Sequence, residues 1–308
     1  MIDLAALGAL RAVATEGSVV GAAQVLGYTP SAVSQQVKRL ERQAGVALLE
    51  RVGRGVILTG AGQHLVESGA RLLADVEQVQ AGLHRHTGTV AGHLRLVAFS
   101  TAVRGLVAEA VAGLLADHPD LRITLTEQEP WDTVEMVATG RCDVGLVHSW
   151  GDVPLVVPDH VTRHSVATDE GEVVLPRTHP LAGRAVLTPR ELAEEPWIAT
   201  PEGTICREWL HRMYVGTGRP PRIAHVSLEF DSHLALVRHG LGIALVPRMG
   251  RAPLGPELVA VRVQDPVPVR DVVAMHRTSM ATSPAVAAVV ERLAQLGGRA
   301  QAPGVSGS

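Results

Sequence analysis

Ser31, Gln35, Lys38 and Arg42 recur at helical spacing. Advancing by about 100° per residue gathers them within about 60° of arc. Val33, Val37, Leu40 and Ala44 fall on the other side, so one face of this segment is core and the other is hydroxyl, amide and cation. Ordinary solvated helices share that division, but their polar faces usually mix signs. Here Glu41 lies off to the side and the outer stripe holds no acid. Such a stripe has the chemistry to meet a polyanion: Gln pairs with adenine N6/N7, Lys or Arg with guanine O6/N7, and Arg with phosphate.

The surrounding elements must hold that stripe outward. Leu4, Leu7, Leu10 and Val13–Ala14 predict a first helix, which Gly17–Ser18 ends. Ser18 then caps a second helix over 19–26, Gly27–Tyr28 turns the chain, and Thr29 caps a third helix with Pro30 in its first position. Two short helices joined by a glycine-containing turn form the helix-turn-helix outline. Downstream, Glu50 to Thr59 reads as a small hairpin wing with Arg54 at its tip. A helix from Thr59-Gly-Ala-Gly to about Gly82 carries Leu65, Leu72, Val76 and Val79 near heptad spacing. That narrow seam suggests dimerisation, the alternative being packing on its own domain. Residues 84–89 read as a linker.

From Gly92 the pattern alternates between strands and helices. Strands are expected at 93–99, 121–126 and 142–148, with helices between them and a parallel sheet as the outcome. A second unit follows with strands at 172–176, 197–200, 223–228 and 243–247. The chain then returns to the first through a strand at 271–276 and a helix from Pro284 to Leu296. Two α/β lobes joined by crossovers leave a cleft between them.

The 308 residues exceed one compact core, and 46% hydrophobic with 19% charged residues excludes global disorder. The net charge of −3 hides a split. Residues 1–86 hold 8 basic and 7 acidic side chains and the remainder 20 and 24, while 28–58 alone holds 5 against 2. Arginine outnumbers lysine 27 to 1, and the one lysine, Lys38, falls in the stripe. Cys142 and Cys206 cannot build a disulfide framework, the first residues lack a signal-peptide pattern, and no apolar run reaches the roughly 18 residues of a membrane span. A reduced, cytoplasmic protein with no membrane partner is the expectation.

The string Ala22-Ala23-Gln24-Val25-Leu26, Ser31-Ala32-Val33-Ser34-Gln35-Gln36-Val37-Lys38-Arg39-Leu40-Glu41, Gly45-Val46, Leu48-Leu49-Glu50-Arg51, Gly53-Arg54-Gly55, Leu58-Thr59 and Ala61-Gly62 resembles the LysR-type transcriptional regulators. The likeness is collinear from about residue 3 to 296, with weaker signals at His179-Pro180-Leu181-Ala182 and Gly240 to Pro247. It implies an α/β multidomain chain. Its parts are a winged helix-turn-helix over 1–58, all-α with a small β wing, and a linker and dimerisation helix with hinge over 59–91. A two-lobed effector domain similar to periplasmic binding proteins follows, lobe I being 92–163 with 267–296 and lobe II 164–266, before a flexible tail over 297–308. The implied partners are double-stranded DNA with an imperfect palindrome, a small-molecule effector, a homodimer or homotetramer, and RNA polymerase for an activator. Three departures bear on the operator: Pro30-Ser31 where many relatives have Gln-Pro, Gln35 where many have Arg, and Leu49 where many have Phe.

Carried over residue by residue, the resemblance makes Ser31, Ser34, Gln35 and Lys38 base readers. Thr29, Arg42, Arg39 and Arg51 lie toward phosphate, and Arg54 suits a narrow minor groove. Effector contacts are expected beyond the carboxyl ends of strands, at Ser100, Thr101, Gln128, Ser149, Trp150, Thr200, Gly203, Thr204, Phe230, Asp231 and Ser232. Hydroxyls, amides and a few aromatic walls suit a polar or carboxylated metabolite, and Thr204 and Ser232 are equally read as helix caps. Fourteen histidines invite a metal, but His84, His86, His225, His233 and His239 form no ligand set, so no metal and no cofactor are expected. Cys206 is read as a neutral thiol at a helix start, without a resolving partner nearby. No P-loop, nucleophile elbow or GxGxxG occurs, which argues against an enzyme. The remaining alternative is a transport solute-binding protein with an incidental N-terminal extension.

Overall fold

The computed structural model describes residues 2–53, 55–87, 89–151 and 153–301. They divide into two compact units, one ending at Leu83 and one starting at His84.

The first unit holds α1 (Leu4–Glu16), α2 (Val19–Leu26), α3 (Pro30–Ala44), the hairpin β1 (Leu49–Val52) and β2 (Gly55–Leu58), and the first part of α4 (Gly60–Thr87). Asp3 caps α1 by accepting from the amides of Ala5 and Ala6. The next two helices start as the sequence predicts: Ser18 accepts from the Gly21 amide and Thr29 from that of Ala32, with Pro30 at the first position of α3. The turn into α3 needs a left-handed residue, and Gly27 supplies it at φ 67°. Leu10, Val13, Ala22, Val33, Val37, Leu40 and Leu48 form one buried core. Gly62 opens α4 so near the Leu48 carbonyl that a β-carbon would overlap it, so only glycine lets α4 seat there.

In the second unit β3 (Gly92–Ala98), β4 (Leu121–Glu127) and β5 (Val144–Trp150) are parallel, as the alternating pattern predicts. They are joined by α5 (Ser100–Ala102), a π-turn (Val103–Val107), α6 (Ala108–Asp117) and α7 (Pro130–Ala138). Then β6 runs from Val161 to Pro176, beginning eleven residues before the expected Glu172. His164, Asp169 and Glu170 hide this strand from a hydropathy pattern, and antiparallel pairing with β12 (Val269–Arg277) decides its conformation. The ladder to β12 continues to Glu170, and pairing to β10 (Ala244–Pro247) begins at Gly171. The expected lobe boundary between 163 and 164 therefore falls inside a continuous strand.

Beyond that switch lie β7 (Val186–Leu187), β8 (Pro196–Ala199), α8 (Ile205–Met213), β9 (Arg222–Val226), α9 (Phe230–Arg238), β10 and β11 (Leu258–Val263). β10 and β11 flank β6 antiparallel, while β8 and β9 pair in parallel. α10 (Pro284–Gln301) returns to pack on β6, α6 and the π-turn. It continues five residues past its expected end, so 297–301 are helical rather than part of a tail; the rest of the expected tail, 302–308, lies outside the described residues. Lobe I packs Leu96, Leu106, Leu114, Val286, Val289 and Leu293, and lobe II packs Val173, Leu175, Trp197, Leu210, Tyr214 and Val261. A third cluster of Trp150, Val153, Ile205 and Trp209 lies where the lobes meet.

Candidate functional site

In the first unit α3 turns Val33, Val37 and Leu40 inward and leaves Ser31, Gln35, Lys38 and Arg42 exposed, with Ser34 half-buried. Thr29 is exposed at the cap, where its hydroxyl also shares a 3.0 Å hydrogen bond with that of Ser31. Glu41 is spent internally: its Oε1 accepts from the amides of Leu48 and Leu49 at 2.9 and 3.3 Å. That bond ties α3 to the wing and keeps the outer face free of negative charge. Arg42 Nε donates to the Lys38 carbonyl at 3.4 Å. Arg39, expected to lie toward phosphate, pairs its guanidinium with Asp3 at 3.2 Å while remaining 61% exposed. Arg51 is exposed on β1, and Arg54 lies outside the described residues. A groove of about 1020 Å³ runs along α3 between Gln35, Lys38 and Arg42 and the loop 45–47. It is also lined by Gln36, whose buried Oε1 has no hydrogen-bond partner among the described residues, and it takes in neither residue of the turn before α3. In that turn Tyr28 is 52% exposed. Neither Gln36 nor Tyr28 stood out by residue type.

In the second unit a cavity of about 20 Å³ sits beyond the strand ends, lined by Trp150, Ile198, Ala199, Thr200, Cys206, Leu210, Phe230, His233 and Leu245. That volume is room for about one water. Of the expected effector residues, Trp150, Thr200 and Phe230 line it. Thr204 stands behind the wall: it caps α8 by accepting from the Arg207 amide, donates to the Pro201 carbonyl, and bonds Thr200 Oγ1 at 2.7 Å. Asp231 and Ser232 are exposed on α9 and Gln128 is exposed after β4, so none of these lines the cavity. Glu229, not Ser232, occupies the α9 cap, so the reading of Ser232 as a cap is corrected. Ser100 and Ser149 are half-buried outside the cavity wall. Exposed Gly203 accepts at its carbonyl from Trp131 Nε1 at 2.8 Å, a bond from lobe I to lobe II.

The charged centre of this region was not legible in the sequence. Buried Thr101 accepts from Arg270 Nη2 at 2.7 Å, and Arg270 pairs with Asp169. The guanidinium stands 5.1 Å from the Phe99 ring centroid and 5.5 Å from that of Trp150, which stacks on Trp209 at 5.9 Å. His148, edge-on to Phe99, is driven well below the usual histidine range by burial and by the Arg270 charge, so it is neutral. Glu129 is raised by burial and by Asp132, Glu229 and Glu127 against the opposing pull of Arg270. Burial pushes the Cys206 thiol up to about 11, so it is held as a thiol rather than a thiolate. Arg270 and Asp169 come from strands a hundred residues apart, and only the β6–β12 pairing brings them together.

Comparison with known proteins follows this division. Residues 4–63 match the bacterial regulatory helix-turn-helix protein of the lysR family, and residues 87–297 match the LysR substrate binding domain. The probable HTH-type transcriptional regulator LrrA of Synechococcus elongatus is 26% identical over 305 residues, covering 98% of this chain and all of that protein. A full-length, singly substituted OxyR from Pseudomonas aeruginosa shares the fold with a TM-score of 0.72 and 21% identity, covering 95% of each chain. CbnR complexed with its target DNA does so at 0.55 and 22%, covering 96% of this chain and 100% of that one. An incidental extension on a transport protein is not favoured, because the N-terminal segment matches a DNA-binding domain in its own right. The chain belongs to the LysR family of transcriptional regulators, a helix-turn-helix DNA-binding domain followed by an effector-binding domain.

Proposed function

We propose that α3 enters the major groove of an imperfect palindrome and reads bases through Ser31, Ser34, Gln35 and Lys38. Thr29, Arg39, Arg42 and Arg51 then meet phosphate, and Arg54 follows the minor groove. The acid-free outer face of α3 carries this reading, because Glu41, the one carboxylate on the helix, is turned to the wing amides. Exposed Leu72 and Val79, seven residues apart on α4, support assembly through a second copy as a homodimer or a tetramer built from dimers.

The effector is a compact polar or carboxylated metabolite that enters between the lobes when the Trp131–Gly203 bond opens. Hydroxyls of Thr101 and Thr200, the rings of Phe99, Trp150 and Phe230, and the Arg270 cation support that class. The protein is a regulator rather than an enzyme: the Thr200 and Thr204 hydroxyls bond each other, and Cys206 is held as a thiol. It acts in the cytoplasm, consistent with no described helix being long and apolar enough to cross a membrane, and as an activator it would contact RNA polymerase.

A gel-shift with the protein's own upstream intergenic DNA tests the reading. The expected result is a specific complex whose footprint spans two or more half-sites; binding no tighter than to unrelated DNA of equal length would overturn it.

A further inference from the structure

The small cavity beyond the strand ends is walled mostly by apolar side chains such as Ile198, Leu210 and Leu245. Two of its lining residues nevertheless carry polar atoms with no hydrogen-bond partner among the described residues, Nε1 of Trp150 and Nδ1 of His233. Each residue is 1% exposed, so bulk water serves neither atom. The Thr200 hydroxyl in the same wall is already paired with that of Thr204 at 2.7 Å. Trp209 Nε1 and His148 Nδ1 also lack partners, but neither residue lines the cavity.

Both rings are held in place. The Trp150 indole stacks on Trp209 with centroids 5.9 Å apart and has the Arg270 guanidinium 5.5 Å from its own centroid. Burial raises the Cys206 pKa, and the Trp150 N–H is among the groups that oppose the rise. The indole therefore points toward that cavity-lining thiol, yet no hydrogen bond joins the two. His233 Nε2 lies 2.9 Å from the Ser227 carbonyl, and its ring stands edge-on to Phe230 at 5.2 Å, which leaves Nδ1 as the unused end. A buried polar atom left unpaired is costly, and two such atoms fixed around one cavity are matched to a group that enters it.

Size and hydrogen-bonding chemistry limit what that group is. A volume of about 20 Å³ admits one water-sized group, too little for an amide or a ring. An indole N–H only donates. A carboxylate oxygen accepts from it but brings no hydrogen to the imidazole, and an ammonium brings hydrogens but no lone pair to the indole. An alcohol does both, and it pairs with His233 Nδ1 whether that nitrogen accepts or donates. A water has the same capacity, and an incoming alcohol replaces it bond for bond.

We infer that the effector is a short aliphatic hydroxy acid whose hydroxyl is buried in this cavity between Trp150 Nε1 and His233 Nδ1. The inference rests on the reading of a small polar or carboxylated effector and narrows it, because the hydroxyl rather than the carboxylate sets specificity. A site built to bond a hydroxyl rejects the analogue lacking it, since its own polar atoms are then left unpaired.

Calorimetric titration of the full-length protein with matched acids tests it: glycolate with acetate, lactate with propionate, 3-hydroxybutyrate with butyrate, and malate with succinate. In at least one pair the hydroxy acid should saturate one site per chain and bind at least about tenfold more tightly than its partner. His233→Gln keeps a side-chain N–H for the Ser227 carbonyl and removes Nδ1, while Trp150→Phe removes the indole N–H. Each should bring that ratio below about threefold, and His233→Gln decides the matter even where Trp150→Phe does not fold. A wild-type ratio below about tenfold in every pair, or a ratio that His233→Gln leaves unchanged, overturns the inference. Saturable binding by acids without the hydroxyl would then leave the small-molecule effector standing, whereas saturable binding by no acid in the panel would overturn that reading as well.

Discussion

Arg270 donates from Nε to Asp169 Oδ2 at 3.0 Å while its Nη2 stands 2.8 Å from the same oxygen, and both side chains are almost wholly withdrawn from water. The pair joins β12 to β6. Asp169 Oδ1 accepts from the Met249 amide at 3.0 Å, and Arg270 reaches Thr101 in α5, so four segments meet on it. A buried pair of this kind adds little over an apolar pair of equal volume, yet removing one partner strands a charge. Asp169→Ala and Arg270→Ala should each lower stability by about 3–5 kcal/mol. Asp169→Ala combined with Arg270→Ala should lose less than the sum of the two single losses, since no charge is left stranded. Urea denaturation of all four proteins checks the cycle, and strict additivity would contradict it.

The Trp131–Gly203 bond holds one side of the cleft, and Arg104 holds another by donating to the Gly250 carbonyl at 3.0 Å and facing Glu229 at 3.6 Å. Trp131→Phe removes a donor and keeps the ring. With a single hydrogen bond contributing about 0.5–1.5 kcal/mol, amides around 200–206 should exchange roughly 2–10 times faster in this variant. Hydrogen–deuterium exchange unchanged from the wild type would mean that this bond does not hold the cleft closed.

Asp143 accepts from Arg95 through Nε, Nη2 and the backbone amide, and from Arg277 at 3.3 Å. Burial alone would raise this carboxyl, but those bonds and charges outweigh it and hold the group below its ordinary 3.8. A carboxyl lowered by folding contributes stability above its unfolded pKa and loses it as pH falls through the folded value. Stability should therefore decline from about pH 5 toward about pH 3, and more steeply in the wild type than in Asp143→Asn. Denaturation curves across that window read the difference, and equal slopes would count against it.

On α4, Leu72 is 47% and Val79 64% exposed in the single chain. Replacing both with Glu should leave the fold intact and shift sedimentation toward a smaller assembly, since a charge at a seam position disfavours the partner helix. An unchanged sedimentation coefficient would place the interface elsewhere.

The DNA-facing half was legible because its signals are local. Ser18, Thr29 and Pro30 announce helix starts within four residues, Gly27 announces the turn, and the core spacing of Val33, Val37 and Leu40 fixes which face looks out. The ligand cleft was only partly legible. Of the residues expected at strand ends, Trp150, Thr200 and Phe230 line the cavity. Asp231 and Ser232 follow the same rule in sequence but fall on the outward side of α9, and helix phase rather than proximity decides that. Arg270 and Asp169 are separated by about a hundred residues and joined only by the β6–β12 ladder. Polar side chains inside β6 break the alternation that would have revealed the strand. Pairing at that range leaves no periodic mark on a single sequence.

The most direct measurement is the affinity of wild type, Gln35→Ala, Lys38→Ala and Arg42→Ala for the chain's own upstream intergenic DNA and for every single-base variant of one half-site, at several salt concentrations. Gln35→Ala and Lys38→Ala should each relax preference at one half-site position by about 1–3 kcal/mol. Arg42→Ala should weaken all variants alike and reduce the salt slope by about one unit. Equal losses on every base variant for both Gln35→Ala and Lys38→Ala, or no loss at all, would contradict base reading by the outer face of α3.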